Sequence, residues 1–195
     1  MKMKQKSYKI IVDSGERDIP QVLTPICSEV GSLVISHEDE IAYDIAWRTE
    51  QKLTQKGCLS FLSRNRGKLS TIQNRCDFAN KMKADLFVSI YINNTNDQTT
   101  SGLQVYSCQG SRPGAMLRNA IYGEVRRLFP DWADQGTKEA GFYVLRGTDM
   151  PAVTVECGRL SNPEEKKLLT LPEIRERFAE GIAAGVESYL VAIQD

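Results

Sequence analysis

Two hydrophobic periods alternate along this chain, and their alternation limits the folds open to it. Short apolar runs typical of buried strands exchange with longer segments in which apolar residues recur every three or four positions. Because strand-like and helix-like segments follow one another throughout, the pattern favours a layered α/β domain. We predict a single domain over residues 1–195, with a mostly parallel, twisted central sheet and helices on both of its faces.

The periodicity also predicts the individual elements. Strands are predicted at residues 10–12, 58–62, 86–92, 102–106, 142–145 and 152–155. Helices are predicted at residues 39–56, 70–83, 115–129 and 173–190, with Ser70 as a candidate N-cap of the second. The polar segment 130–141 is predicted to be a loop.

Charge and cysteine content exclude several classes of function. Lysine plus arginine (25) equals aspartate plus glutamate (25), so the chain lacks the basic excess of a nucleic-acid binder. No apolar stretch approaches the roughly 20 residues that a membrane span needs. The five cysteines are an odd number without paired CxxC spacing, which predicts reduced thiols. With no export signal at the N-terminus as written, we expect a cytoplasmic protein, or an exported one if a leader has been removed.

Polar side chains gather where the predicted strands end. Functional groups of open α/β sheets collect at the carboxyl ends of strands. Candidate segments are residues 13–18, 37–40, 89–94 and 155–162. Each also has a structural interpretation, as an acidic turn, a helix-capping cluster, a polar strand end and a capped helix start. Spacing alone leaves both interpretations open.

Taken in order, these segments resemble the catalytic domain of the zinc-dependent N-acetylmuramoyl-L-alanine amidases that cleave peptidoglycan. The opening IVDSG is similar to the family's vDPGHGG, and ADLFVSI to its ADLFISIH. Near the C-terminus, MPAV, VE and GRLSN are similar to MPAVLVExGFLSN. Further collinear similarities lie at Glu38, Ser63-Arg64, Arg75, Ala79-Asn80 and residues 102–106 and 138–146. The resemblance therefore covers nearly the whole chain.

The resemblance implies a zinc ion held by two histidines and a glutamate, with a second glutamate as general base. It places Glu38 at the metal-binding glutamate and Glu156 at the general base. The two histidine positions hold Glu16 and Tyr91 instead. His37 is the chain's single histidine, and we interpret it as a solvated residue at a helix start. No rearrangement can therefore restore a two-histidine site.

Zinc favours imidazole and thiolate, whereas Glu16, Glu38 and Tyr91 offer only oxygen. We therefore expect no tightly bound cofactor. Without a metal, the carboxylates would crowd like charges together, so a cation should neutralise them. Arg17 and Arg159 stand where the family has uncharged residues, and we predict that one of them points into the site. The alternative is that both arginines lie in solvent.

Two functional interpretations follow from the resemblance. A third would be catalysis without a metal. The first is a degenerate amidase homologue that binds a muropeptide-like ligand or a protein partner. The second is an active peptidoglycan amidase with an atypical oxygen-ligand site for zinc or manganese. The third uses Glu16 and Glu156 as a metal-free acid/base pair.

Three further side chains have assigned roles. Arg64 and Arg75 are candidate substrate-binding residues, because arginine forms a fork that suits a carboxylate of a peptide stem. The alternative for each is an ion pair with a neighbouring acid. Cys157, beside Glu156, is predicted to be a buried core residue, because no histidine is available to activate it.

Overall fold

The computed structural model describes residues 7–15, 37–66 and 70–194, except for the side chain of His37. Within these ranges six strands form one sheet in the order β2-β1-β3-β6-β4-β5. The strands are β1 Lys9–Ser14, β2 Leu59–Leu62, β3 Leu86–Asn93, β4 Leu103–Cys108, β5 Asp134–Ala140 and β6 Ala152–Arg159. The helices are α1 His37–Gln55, α2 Ile72–Lys81, α3 Arg112–Leu128, α4 Tyr143–Arg146, α5 Pro163–Leu169 and α6 Pro172–Ala192.

The sheet is mostly parallel. Strand β1 pairs with β2 and β3, β3 with β6, and β4 with β5, all in parallel, while β4 and β6 run antiparallel. Helices cover both faces, so the predicted fold class is confirmed. No helix in the described ranges has the length and apolar character required to cross a bilayer.

Alternate residues of the central strands enter two separate cores. Val88 and Ile90 of β3 belong to the larger core, which α1, α3 and α6 cover. Phe87, directly before Val88, belongs to the smaller core beneath α2 and α4. Because successive strand residues point to opposite faces, the continuous apolar run predicted for this strand fills both cores. The smaller core leaves one end of its sheet face to polar residues.

Two predicted elements were wrong. Residues 134–140 form strand β5 and not a loop, because they pair with β4 at the sheet edge, where a strand needs no apolar run. Residues 143–146 form the single-turn helix α4 and not a strand. There Val144 and Leu145 are both buried while Phe142 and Tyr143 are exposed, a grouping that a strand's alternation cannot produce.

Two smaller differences concern helix starts. Thr71, and not Ser70, caps α2, since its hydroxyl accepts a hydrogen bond from the Asn74 amide at 3.1 Å. Helix α5 was expected only as a capped start after residue 162. Asn162 indeed caps it, accepting hydrogen bonds from the amides of Glu164 and Glu165.

Candidate active site

Three strand ends meet at one edge of the sheet. Strands β1, β3 and β6 are mutually parallel neighbours, so their carboxyl ends lie side by side. The register aligns Asp13 with Ser89, and Tyr91 with Glu156. Paired residues of neighbouring strands share a face. The structure thus places the predicted residues Tyr91 and Glu156 next to each other.

A buried ion pair fixes the base of this edge. The Asp13 carboxylate accepts hydrogen bonds from the hydroxyls of Ser63 at 2.5 Å and Ser89 at 2.7 Å. The Arg75 guanidinium lies 3.2 Å from the same carboxylate, with Arg75 1% exposed and Asp13 fully buried. Arg75 also donates to the Ser14 carbonyl oxygen at 2.8 Å. The alternative that Arg75 pairs with an acid is therefore confirmed, and its role in substrate binding stays a prediction.

Arg64 supports the same turn from a second direction. Its Nε donates to the Ser14 carbonyl oxygen at 3.3 Å, and its guanidinium lies 5.4 Å from the centre of the Tyr43 ring. That distance is within the range of a cation–π contact. Arg64 is buried, so it contributes to holding the turn after β1. Its proposed contact with substrate also stays a prediction.

Glu38 reaches the end of β3. It lies in the first turn of α1, whose acidic residues suit the positive end of the helix dipole. The Asn94 side-chain amide, just beyond β3, donates to the Glu38 carboxylate. Helix α1 therefore brings the predicted metal-binding glutamate to the shared edge. Glu16 and Arg17 lie outside the described residues.

The Tyr91 ring packs directly against Gly15. A Cβ added at Gly15 would lie 2.0 Å from Cδ2 of Tyr91, a separation that real side chains do not reach. The Gly15 amide donates to the Ile90 carbonyl oxygen at 2.8 Å, which holds this backbone against β3. The absence of a Cβ at Gly15 is therefore what makes room for the Tyr91 ring. The phenol ring of Tyr91 is thus held against the turn after β1.

Glu156 is a buried carboxylate with a neighbouring cation. It is 8% exposed, and Nη2 of Arg159 lies 3.4 Å from its Oε2. Burial raises the pKa of Glu156, while Arg159, a hydrogen bond from the Asn93 side chain and Lys138 act in the opposite direction. Arg159 thus makes the contact with a site carboxylate that was predicted for Arg17 or Arg159, although it is not among the residues that line the pocket.

Strand β4 adds two residues that the sequence reasoning missed. The register places Gln104 opposite Glu156 and Tyr106 opposite Thr154. The Tyr106 hydroxyl donates to the Gln104 side-chain oxygen. Burial, followed by the negative charge of Glu156, raises the pKa of Tyr106 to about 12. The sequence signal that could have identified them is the alternation of these polar side chains with apolar ones in residues 102–106.

A pocket of about 350 Å³ opens beside these residues. Its lining includes the polar side chains of Arg75, Ser89, Thr154 and Glu156 and the aromatic rings of Tyr91, Phe142 and Tyr143. Its volume lies within the range of small-ligand sites, about 300–1,000 Å³. The charged groups of the pocket already have partners of opposite charge, Asp13 for Arg75 and Arg159 for Glu156. Such a pocket suits an uncharged polar ligand with a flat or apolar face.

The donors that the structure describes at this edge do not fit zinc. Tyr91 and Glu38 offer oxygen only, and Glu38 already accepts a hydrogen bond from Asn94. Among the described side chains, no three histidine, cysteine or acidic residues come together as a metal-binding group. Cys157 adds no sulfur ligand, because it is fully buried in the larger core and burial raises its pKa strongly. Its predicted role as a core residue is confirmed.

Fold and site together define the class: an α/β domain with a ligand-sized pocket at the carboxyl edge of a mostly parallel sheet. A family profile described as N-acetylmuramoyl-L-alanine amidase matches residues 28–188, and the chain belongs to this family. The expectation drawn from the sequence motifs is therefore confirmed.

Individual relatives agree with this assignment. The chain is 30% identical over 158 residues to the N-acetylmuramoyl-L-alanine amidase LytC of Bacillus subtilis strain 168. The match covers 78% of this chain and 31% of LytC, so the chain spans about a third of that relative's length. The germination-specific amidase of the same organism is 25% identical over 166 residues, covering 78% of this chain and 70% of that protein.

Solved structures share the fold. The N-acetylmuramoyl-L-alanine amidase of Clostridium difficile 630 superposes with a TM-score of 0.82 at 27% identity, covering 96% of this chain and 99% of that one. AmiC2 of Nostoc punctiforme gives a TM-score of 0.79 at 28% identity, covering 94% and 97%. The CwlD amidase of Clostridioides difficile, solved in complex with the GerS lipoprotein, is 22% identical and shows the fold alone.

Proposed function

We propose that this amidase-family protein has lost the family's zinc chemistry and acts in peptidoglycan metabolism by binding a muropeptide-like ligand beside Glu156. The observation that carries the proposal is the ion pair between Arg159 and Glu156, whose carboxylate lines the pocket. In an active relative the matching glutamate would accept a proton from water. Here a guanidinium stands beside that carboxylate, as expected where no metal supplies positive charge.

The environment of Tyr91 supports the same proposal. Its ring lies against Gly15, and its phenol oxygen is a poorer zinc ligand than the imidazole nitrogen that the family uses. With Glu38 engaged by Asn94, the described edge resembles a hydrogen-bonded binding surface more than an open metal site.

The pocket supports the ligand class. Paired charges disfavour burying a charged group in the pocket, since that charge would have no partner, so the carboxylates of a peptide stem would stay outside it. The aromatic rings and the carboxylate and hydroxyl groups of the lining suit the hydroxyl and amide groups of a sugar–peptide conjugate. A muropeptide offers both kinds of group, and the family assignment favours it over other ligands of that size.

The test is binding of purified muropeptides, followed by calorimetry and by backbone amide shifts in NMR. We expect binding in the wild-type protein and a loss of about tenfold in Phe142→Ala, because this exposed ring lines the pocket. Phe61→Ala is the matched control, since Phe61 is similarly exposed on edge strand β2. Equal affinity in both variants, or no binding, would refute the proposed ligand site.

The absence of hydrolysis needs its own assay. We expect no release of stem peptide when the protein is incubated with peptidoglycan, with and without added zinc or manganese. Release that is abolished by Glu156→Gln would instead establish an active amidase with an oxygen-ligand metal site. Binding of a protein partner with no muropeptide affinity would assign the pocket face to an interaction module.

A further inference from the structure

The contact between Glu156 and Arg159 depends on an irregularity in β6. Tyr91 pairs with Glu156 and Asn93 pairs with Arg159, so two residue steps on β3 lie opposite three on β6. In a regular strand, residues three apart point to opposite faces. The extra residue of a bulge reverses this and brings Glu156 and Arg159 to the same face. Without the bulge, Arg159 would point toward the larger core.

A buried carboxylate on α5 holds the backbone at this bulge. Glu165 is 5% exposed. Its Oε2 accepts a hydrogen bond from the Arg159 amide at 2.7 Å, and its Oε1 accepts one from the Gly102 amide at 2.7 Å. One side chain therefore ties the end of β6 to the residue that precedes β4. These amides are buried and would lose their partner if the carboxylate were removed.

Gly158 allows this carboxylate to come close. Its φ is +155°, a backbone conformation that residues with a Cβ rarely adopt. An added Cβ would lie 3.1 Å from Oε2 of Glu165 and 3.2 Å from the Trp132 ring. The β6 bulge, Gly158 and the Glu165 carboxylate thus pack closely together at the backbone of Arg159.

Charge adds to the geometry. The positive charge of Arg159 acts on Glu165 as well as on Glu156, and it opposes the effect of burial on the pKa of both acids. Arg159 is itself 9% exposed. Arg159 therefore contacts two buried carboxylates. Its guanidinium lies beside Glu156, and its backbone amide donates to Glu165.

From this geometry we infer that Glu165 is a positioning residue, which fixes the β6 bulge and so keeps the Arg159 side chain on Glu156. The inference rests on the proposed function only in taking Glu156 as the functional carboxylate of the pocket. It assigns the α5 helix a role at the site, although Glu165 is absent from the pocket lining.

A double-mutant cycle tests this role. Glu156→Gln and Arg159→Met are made singly and together, and the free energy of unfolding in urea gives their coupling. The cycle is then repeated in the presence of Glu165→Gln. We expect clear coupling in the first cycle and additive effects in the second. A merely structural Glu165 would destabilise every variant equally and leave the coupling unchanged, which would overturn the inference.

Two further variants keep the result unambiguous. Glu164→Gln alters the exposed neighbour on the same helix and should leave the coupling intact. If Glu165→Gln fails to fold, Gly158→Ala retains the carboxylate but crowds it, and the coupling should again disappear; retained coupling there would equally refute the inference. Neither cycle contains ligand. If Glu165→Gln removes the coupling but the protein binds no muropeptide, the proposed ligand is refuted and the positioning role of Glu165 is retained.

Discussion

Replacing Arg75 with methionine tests whether this arginine serves the fold or the ligand. Methionine retains much of the buried stem but leaves the Asp13 carboxylate without its cation. Removing one partner of a buried ion pair costs about 3–5 kcal/mol. The Ser63 and Ser89 hydroxyls still hold Asp13, so we expect the lower end of this range. Loss of the donor to the Ser14 carbonyl oxygen adds about 1 kcal/mol.

The assay is urea unfolding followed by circular dichroism and tryptophan fluorescence. Arg66→Met is the matched control, because Arg66 is exposed and its loss should change stability by less than about 0.5 kcal/mol. Combining Arg75→Met with Asp13→Asn removes the orphaned charge and should recover part of the loss. A loss in Arg75→Met no larger than in Arg66→Met would refute the reasoning and return Arg75 to ligand binding alone.

Three other predictions follow from the site. Gly15→Ala should destabilise the protein by about 1–3 kcal/mol in urea unfolding, because its Cβ would meet the Tyr91 ring, and Tyr91→Ala in the same chain should relieve much of the loss. Tyr106 binds its proton more tightly in the folded protein, with a pKa of about 12 against an ordinary 10.0, so stability should fall as the pH rises above about 10; an equal fall in Tyr106→Phe would contradict this. Cys157 should react with an aromatic disulfide reagent only after unfolding, since it is fully buried with a raised pKa, and rapid labelling of the native protein at Cys157 would show otherwise.

The parts of the fold set by hydrophobic burial were predictable from the sequence. The run in residues 86–92 is apolar on both faces because β3 lies between two covered cores, and it was identified correctly. Strand β5 carries no such signal, because an edge strand with exposed side chains is defined by its hydrogen bonds to β4. The run in 142–145 is too short for its period to distinguish one helical turn from a strand.

The candidate site was likewise only partly predictable from the sequence. Motif positions identified Glu38, Tyr91 and Glu156, and the need for positive charge pointed to Arg159. Their mutual geometry was beyond reach, because regular alternation would have placed Arg159 on the face opposite Glu156. Only the bulge, held by a carboxylate six residues further along the chain, brings the two together.

The proposed loss of the family's zinc site is tested most directly by zinc affinity. The unaltered protein and a Glu16→His, Tyr91→His double variant are titrated with zinc against a competing chelator, and the metal content of each is determined by elemental analysis. We expect far less than stoichiometric zinc in the unaltered protein and sharply tighter binding in the double variant, which carries imidazoles at the two positions that the resemblance matches to the family's histidines. Stoichiometric zinc in the unaltered protein that disappears in Glu38→Ala would contradict the account.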